Sequence, residues 1–151
     1  MTLRLVYRLY GGENMKGRPP FYSKKTSMAS FLHAAEAASA DVVTLVDGPV
    51  ADDLRRMAAS HGRVIDLPGG PVGMRGSYLA ALRYPDSAGW PDQDFVYFCE
   101  DDYLHDPQSF VALERAASAI QSAALFRVVR IDTRAPGLRS ESSVRKARRL
   151  G

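Results

Sequence analysis

With 151 residues, 46% of them hydrophobic and 25% charged, the chain has the bulk of one globular domain, and its single cysteine, Cys99, excludes a disulfide framework or a cysteine-rich metal site. No apolar run approaches the roughly 20 residues of a membrane span, and Met1-Thr2-Leu3-Arg4-Leu5-Val6 is too short and interrupted for a signal peptide, so a cytoplasmic setting is expected, with peripheral membrane contact still open. The formal net charge of +3 is unevenly spread: residues 127–151 carry eight Arg or Lys against two acidic residues, whereas residues 1–126 carry twelve against fifteen.

In chain order, Leu3-Arg4-Leu5-Val6-Tyr7-Arg8 predicts a first strand, ended by Gly11-Gly12, and residues 13–22, with Gly17, Pro19 and Pro20, read as a loop. The spacing of Met28, Phe31, Leu32 and Ala35 predicts a helix, with Ser23 or Thr26 available as its cap. Val42-Val43-Thr44-Leu45-Val46 is a second strand, stopped by Asp47-Gly48-Pro49. A second helix, capped by Asp52 and carrying Leu54, Met57 and Ala58, ends at Gly62, and Arg63-Val64-Ile65-Asp66-Leu67 gives a short third strand. After the rigid Pro68-Gly69-Gly70-Pro71, the residues Met74, Tyr78, Leu79 and Leu82 mark a third helix, and Pro85 to Pro91 a turn-rich connection. Phe95-Val96-Tyr97-Phe98-Cys99 is a fourth buried strand, with Glu100-Asp101-Asp102 directly off its end. Asp106-Pro107 pairs a capping carboxylate with proline at the first helical position, and Phe110, Leu113 and Ala117 mark the core side of the helix it opens. From about Leu125 the periodicity is lost and arginine accumulates. This basic segment reads as a solvated tail rather than an arm for nucleic acid, and no nucleic-acid partner is expected.

Continuous apolar strands alternating with helices predict an α/β domain: a mainly parallel sheet with helices on both faces, over residues 1–124, followed by a poorly ordered tail at 125–151. Ligands of such sheets bind beyond the carboxyl ends of the strands. Arg8, Asp47, Asp66 and Glu100 to Asp102 all fall there. Three consecutive carboxylates repel one another by a few kcal/mol per close pair at about 4 Å. A surface loop relieves this by solvation, a site by binding a cation, and hard oxygen ligands suit Mg²⁺ or Mn²⁺.

The run Phe95-Val96-Tyr97-Phe98-Cys99-Glu100-Asp101-Asp102-Tyr103 resembles the metal-binding strand and acidic motif of GT-A-fold, nucleotide-sugar glycosyltransferases, closest to the inverting, family-two-like bacterial enzymes. The resemblance covers residues 1 to about 124 and implies the Rossmann-like, donor-binding half of that fold. It implies Asp102 as the metal ligand for Mn²⁺ or Mg²⁺, and Glu100 or Asp101 as the sugar-nucleotide contact. By the same resemblance Tyr7 and Arg8 face the nucleobase, Asp47 accepts a hydrogen bond from uracil, and Gly73, Arg75 and Gly76 help hold the nucleotide. The implied partners are a nucleoside-diphosphate sugar, a UDP-sugar in the first place, and an acceptor hydroxyl that is not identified. In such enzymes the catalytic base comes from a later acceptor-binding segment, so a truncated domain without its own base is expected. Codons exist that encode Leu125 to Thr133 and, one base later, read Tyr-Phe-Ala-Leu-Tyr-Gly-Ser-Thr, a string that suits the family's next strand, so that an out-of-frame tail is one reading of this end.

His105, three residues after Asp102, is a candidate addition to the metal site. His33, His61 and Cys99 read as structural. The alternatives are a non-catalytic nucleotide-binding remnant and a metal-dependent phosphotransfer module. The latter wants a nucleophilic Asp followed by a distant Lys or Thr on neighbouring strands, and Lys16, Lys24, Lys25 and Lys146 all lie outside strand ends.

Overall fold

The computed structural model describes residues 1–12 and 17–122. The basic segment from residue 125 onward, with the expectations attached to it, lies outside them. Strands and helices alternate: β1 (Leu3–Tyr10), α1 (Lys24–Ala37), β2 (Asp41–Asp47), α2 (Asp52–Ala59), β3 (Gly62–Asp66), α3 (Gly73–Ser87), β4 (Phe95–Glu100) and α4 (Ser109–Ser122). All three pairings of the described strands are parallel, in the order β3-β2-β1-β4. This is the Rossmann-like α/β arrangement that the sequence pattern predicts.

The pleat of β1 sorts the core. Leu3, Leu5, Tyr7 and Leu9 point to one face, where they meet Met28, Phe31 and Leu32 of α1, Leu54 of α2 and Phe110 of α4. Val6 points to the other, where Val43, Leu45 and Ala81 of α3 form a smaller cluster with Phe98 and Trp90 at its margin. Helices therefore cover both faces, three on one side and α3 on the other. Phe31 is fully buried between Tyr7, 4.6 Å away, and Phe110, 5.4 Å away by ring centroids. Truncating a ring at such a position costs about 3–5 kcal/mol.

Local chemistry explains most element boundaries. Ser23 caps α1 by accepting a hydrogen bond from the Thr26 amide at 3.0 Å. Three expectations are corrected. The N-cap of α2 is Ala51, with Asp52 and Asp53 in the first turn, where their charge favours the helix dipole. Helix α3 continues through Pro85 to Ser87, and it buries Ser77 and Ala81, while Met74, Tyr78 and Leu82 are exposed. Helix α4 begins at Ser109; Asp106 caps the turn before it, through its side chain to the Gln108 amide at 2.8 Å and its carbonyl to Ser109.

Two glycines set the rim at the carboxyl ends. The Gly11 amide donates to the Asp47 carbonyl at 2.8 Å, an approach so close that a Cβ on Gly11 would stand 2.1 Å from the Pro49 carbonyl oxygen. Gly48 has φ of 86°, a conformation few side chains tolerate, and turns the chain immediately after Asp47.

Candidate functional site

A cavity of about 330 Å³ opens at the carboxyl ends of β1, β2 and β4. Its place follows from the strand order: β2 and β3 lie to one side of β1 and β4 to the other, and the chain connections diverge there to leave a crevice. One wall is the start of α3, with Gly73, Met74 and Ser77; the opposite wall is formed by Gly12, Arg18 and Tyr22, with Lys24 at the start of α1.

All three carboxylates of the acidic motif line this cavity, and each meets a different cation. Arg8 Nη1 lies 2.8 Å from Glu100 Oε1, Lys24 Nζ lies 3.5 Å from Asp101 Oδ2, and Arg18 Nη1 lies 3.0 Å from Asp102 Oδ2. The repulsion inherent in the motif is thus met by three cations from three segments. Asp101 is the most enclosed of the three and also accepts from the Tyr10 amide at 3.1 Å. Burial pushes its carboxyl above the ordinary range, opposed by the Tyr10 amide and the Lys24 ammonium. The Arg18 guanidinium is held further on its charged side by its hydrogen bond to Asp102.

The cations are positioned by more than the carboxylates. Arg8 also donates to Ser77 Oγ at 3.0 Å and to the Met74 carbonyl at 3.3 Å. Lys24 donates to the carbonyls of Tyr10 and Gly12, which folds the β1 end over the first residue of α1. Arg18 lies over the Tyr22 ring, 4.5 Å from its centroid, and the Tyr22 hydroxyl donates to the Asp101 carbonyl at 3.1 Å.

Asp47 is the least exposed polar residue lining the cavity, with 2% of its surface exposed. Its Oδ1 accepts from the Val72 amide at 2.6 Å, which ties the loop before α3 to the end of β2. Its Oδ2 is buried without a hydrogen-bond partner. A buried acceptor left unmade costs about 1–3 kcal/mol, so a donor that reaches this oxygen is favoured.

The structure brings Arg8, Asp47, Gly73, Glu100, Asp101 and Asp102 together at the cavity, and Tyr7, Arg75 and Gly76 are not part of its lining. Tyr7 does not face a nucleobase: it occupies an odd position of β1, so its ring enters the core against Phe31. Arg75 does not line the cavity, because the turn of α3 that faces it presents Gly73, Met74 and Ser77 and leaves Arg75 exposed. Asp66, at the end of β3, pairs with Arg55 away from the cavity. His105 does not line the cavity: it packs between Phe31 and Phe110, with Nε2 3.4 Å from the Tyr97 hydroxyl, and burial lowers its pKa. Cys99 is a core residue whose thiol is pushed up to about 12, first by burial and then by the three neighbouring carboxylates. Sequence reading missed Arg18, Tyr22 and Lys24, and excluded Lys24 as lying outside strand ends. The signal was present in the basic and aromatic composition of Gly17 to Lys25, directly after the first strand.

Among the described residues no three His, Cys, Asp or Glu side chains converge on one point, so a metal caged by protein ligands alone does not fit. A hard cation at this motif would be held by one carboxylate and completed by water and a ligand's phosphate oxygens, the usual manner of Mg²⁺. Asp102 has the chemistry for that role. No described helix is long and apolar enough to cross a membrane. No protein-family model matches the chain, and comparison with curated proteins and with solved structures returns no match. The functional reading therefore rests on the chemistry of the cavity.

Proposed function

We propose that this domain binds a nucleoside-diphosphate sugar, with a UDP-sugar favoured, together with Mn²⁺ or Mg²⁺, and that the parent chemistry is glycosyl transfer to an acceptor hydroxyl. The observation that carries the reading is the pairing, in one cavity at a switch point, of a buried aspartate with an unmet acceptor and a carboxylate triplet faced by cations. Asp47 Oδ2 suits the imide N–H of a uracil-type base. Glu100 and Asp101, at the β4 end, suit the ribose and sugar hydroxyls, and Arg8 suits the phosphates or the base edge. Asp102 would hold the divalent cation, which when bound offsets the charge of a leaving diphosphate. Calorimetry with UDP and Mn²⁺ tests this: Asp102→Ala should weaken binding at least tenfold, about 1.4 kcal/mol. Equal binding by the variant removes Asp102 from the site.

A specific observation favours binding over turnover within these residues. Direct displacement at a sugar carbon needs a base in reach of the acceptor's proton. Among the described residues, Glu100, Asp101 and Asp102 are each engaged by a cation, Asp47 is enclosed at the β2 end, and His105 is in the core. The chain should hydrolyse a donor slowly rather than transfer it. Transfer to a panel of acceptors at about 1 per second or faster, an ordinary enzyme rate, would overturn that reading.

A further inference from the structure

We infer that Arg18 is an exchangeable occupant of the acidic motif: it holds Asp102 until a phosphate-bearing ligand arrives with a cation, and then moves from carboxylate to phosphate. The inference rests on the nucleotide reading above and adds to it a residue and an order of events.

Three observations carry it. First, Asp102 has its Oδ2 bonded to Arg18 at 3.0 Å, so a cation entering at Asp102 competes directly with a guanidinium for the same carboxylate. Second, Arg18 is among the residues that line the cavity, and its Nε is buried with no hydrogen-bond partner, which leaves part of the guanidinium fork unused. A carboxylate engages two positions of that fork; a phosphate, with more oxygens, suits the remainder as well. Third, Asp47, 2% exposed and with an unmet oxygen, lines the same cavity, which independently marks it as built for a ligand.

The support around Arg18 suits a small swing rather than a rebuild. Pro19 and Pro20 fix the backbone that follows it. A turn closes from the Tyr22 amide to the Pro19 carbonyl at 2.9 Å, and the Tyr22 ring, itself tied to Asp101, gives the guanidinium a flat surface to slide on. Arg8 and Lys24 have additional bonds to Ser77, Met74, Tyr10 and Gly12, so they keep their places when the carboxylates change partners.

The thermodynamic consequence is specific. A divalent cation alone competes with Arg18 for Asp102 and weakens the pairing that holds that guanidinium. A cation bound together with a diphosphate offers Arg18 a new anion. Cation and diphosphate therefore bind with positive coupling, and the coupling passes through Arg18. Removing Arg18 has effects of opposite sign on the two ligands: Mn²⁺ alone binds tighter because its competitor is gone, and pyrophosphate in the presence of Mn²⁺ binds more weakly because a phosphate contact is gone.

The experiment is calorimetry of the full chain with Mn²⁺ alone, and with pyrophosphate at saturating Mn²⁺, for the unmodified protein, Arg18→Ala, Arg18→Lys and Asp102→Ala. Arg18→Ala should strengthen Mn²⁺ binding about threefold and weaken pyrophosphate about tenfold. Arg18→Lys, which keeps the charge but loses the fork, should fall between the two for pyrophosphate. Thermal melts of the variants control for folding, and an unchanged midpoint is expected for this loop position. If Asp102→Ala abolishes Mn²⁺ binding while Arg18→Ala moves neither affinity, or moves both in one direction, the exchange is wrong and the metal reading stands. If Asp102→Ala leaves Mn²⁺ binding intact, or the unmodified chain binds neither probe, the metal reading fails and this inference falls with it.

Discussion

Arg4 and Arg8 stand four residues apart on β1, on the same face of the sheet, and each reaches across to the flank of β4. At the amino end, Arg4 bonds Asp94 at 3.0 Å and Asp41 at the start of β2, and its guanidinium lies 5.3 Å from the centre of the Trp90 ring. Asp94 in turn accepts from the Thr2 amide at 2.9 Å. At the carboxyl end, Arg8 bonds Glu100 at 2.8 Å and lies 5.5 Å from the centre of the Tyr78 ring. The components are almost the same: an arginine, a carboxylate beside β4 and an aromatic ring. The difference is what is left over. Arg4 is held between Asp41 and Asp94, whereas Arg8 keeps a buried Nε without a partner and lines the cavity. An ion pair at a strand end is thus weak evidence of a site. Space together with unmet polar atoms is stronger evidence, and the two ends of β1 separate those cases within one strand.

The largest expected effect breaks the amino-end seam. Asp94→Ala removes a side chain that is only 4% exposed and leaves the Thr2 amide and part of Arg4 without their acceptor. We expect a loss of about 2 kcal/mol by chemical denaturation, the scale of an unmade bond to a charged group. A pH signature should accompany it. Burial alone would raise the Asp94 carboxyl, but the Thr2 amide and Arg4 outweigh it and hold the group below its ordinary value. A group depressed in the folded state contributes its full stabilisation above its unfolded value of about 3.9 and loses it as the pH falls through the folded value. Stability of the unmodified chain should therefore fall more steeply below about pH 4 than that of Asp94→Ala. Parallel acid profiles would show that the seam does not carry this charge.

Much of this arrangement was legible in the sequence, for identifiable reasons. The alternation of Val42 to Val46 and Phe95 to Cys99 with helical patterns gives the parallel sheet, because buried parallel strands need near-continuous apolar runs. Asp47 and Glu100 to Asp102 could be placed because they follow such runs directly. Tyr7 and Arg75 were misplaced because knowing a residue's element is not knowing its side: an odd position on β1 points to the core, and one step along α3 turns a side chain from the cavity to solvent. Met74, Tyr78 and Leu82 gave a true helical period, yet the helix buries Ser77 and Ala81 instead, since small residues allow α3 to lie close on Val43 and Leu45. Arg18 and Lys24 were hidden for a further reason. Their role depends on how residues 17–24 lie against the carboxyl ends of the strands, which no periodicity describes.

A second test asks whether the two arginines differ in function as they do in surroundings. With UDP and Mn²⁺, Arg8→Ala should weaken binding by about tenfold, near 1.4 kcal/mol. Arg4→Ala, measured well below its melting temperature, should leave binding unchanged and lower stability instead. The comparison collapses if both variants lose binding alike, because the effect of Arg8 would then pass through the sheet rather than through the cavity.

The smallest expected effect sharpens the contrast most, because it concerns the carboxylate that corresponds to Asp94 at the other end. Glu100 has 49% of its side chain exposed, so its pair with Arg8 is screened by water and contributes little to folding. Glu100→Gln keeps the size of the side chain and removes only the charge. Arg8 keeps its bonds to Ser77 Oγ and the Met74 carbonyl, so no buried donor is newly stranded by the change. Stability should therefore shift by no more than about 0.5 kcal/mol, the ordinary range for a surface position. If the same substitution weakens binding of the nucleotide, the carboxylate is held at the β4 end for a ligand and not for the fold. A loss of stability comparable to that of Asp94→Ala would mean instead that both ends of β1 are seams, and that the cavity between Arg8 and Glu100 owes its charges to the architecture alone.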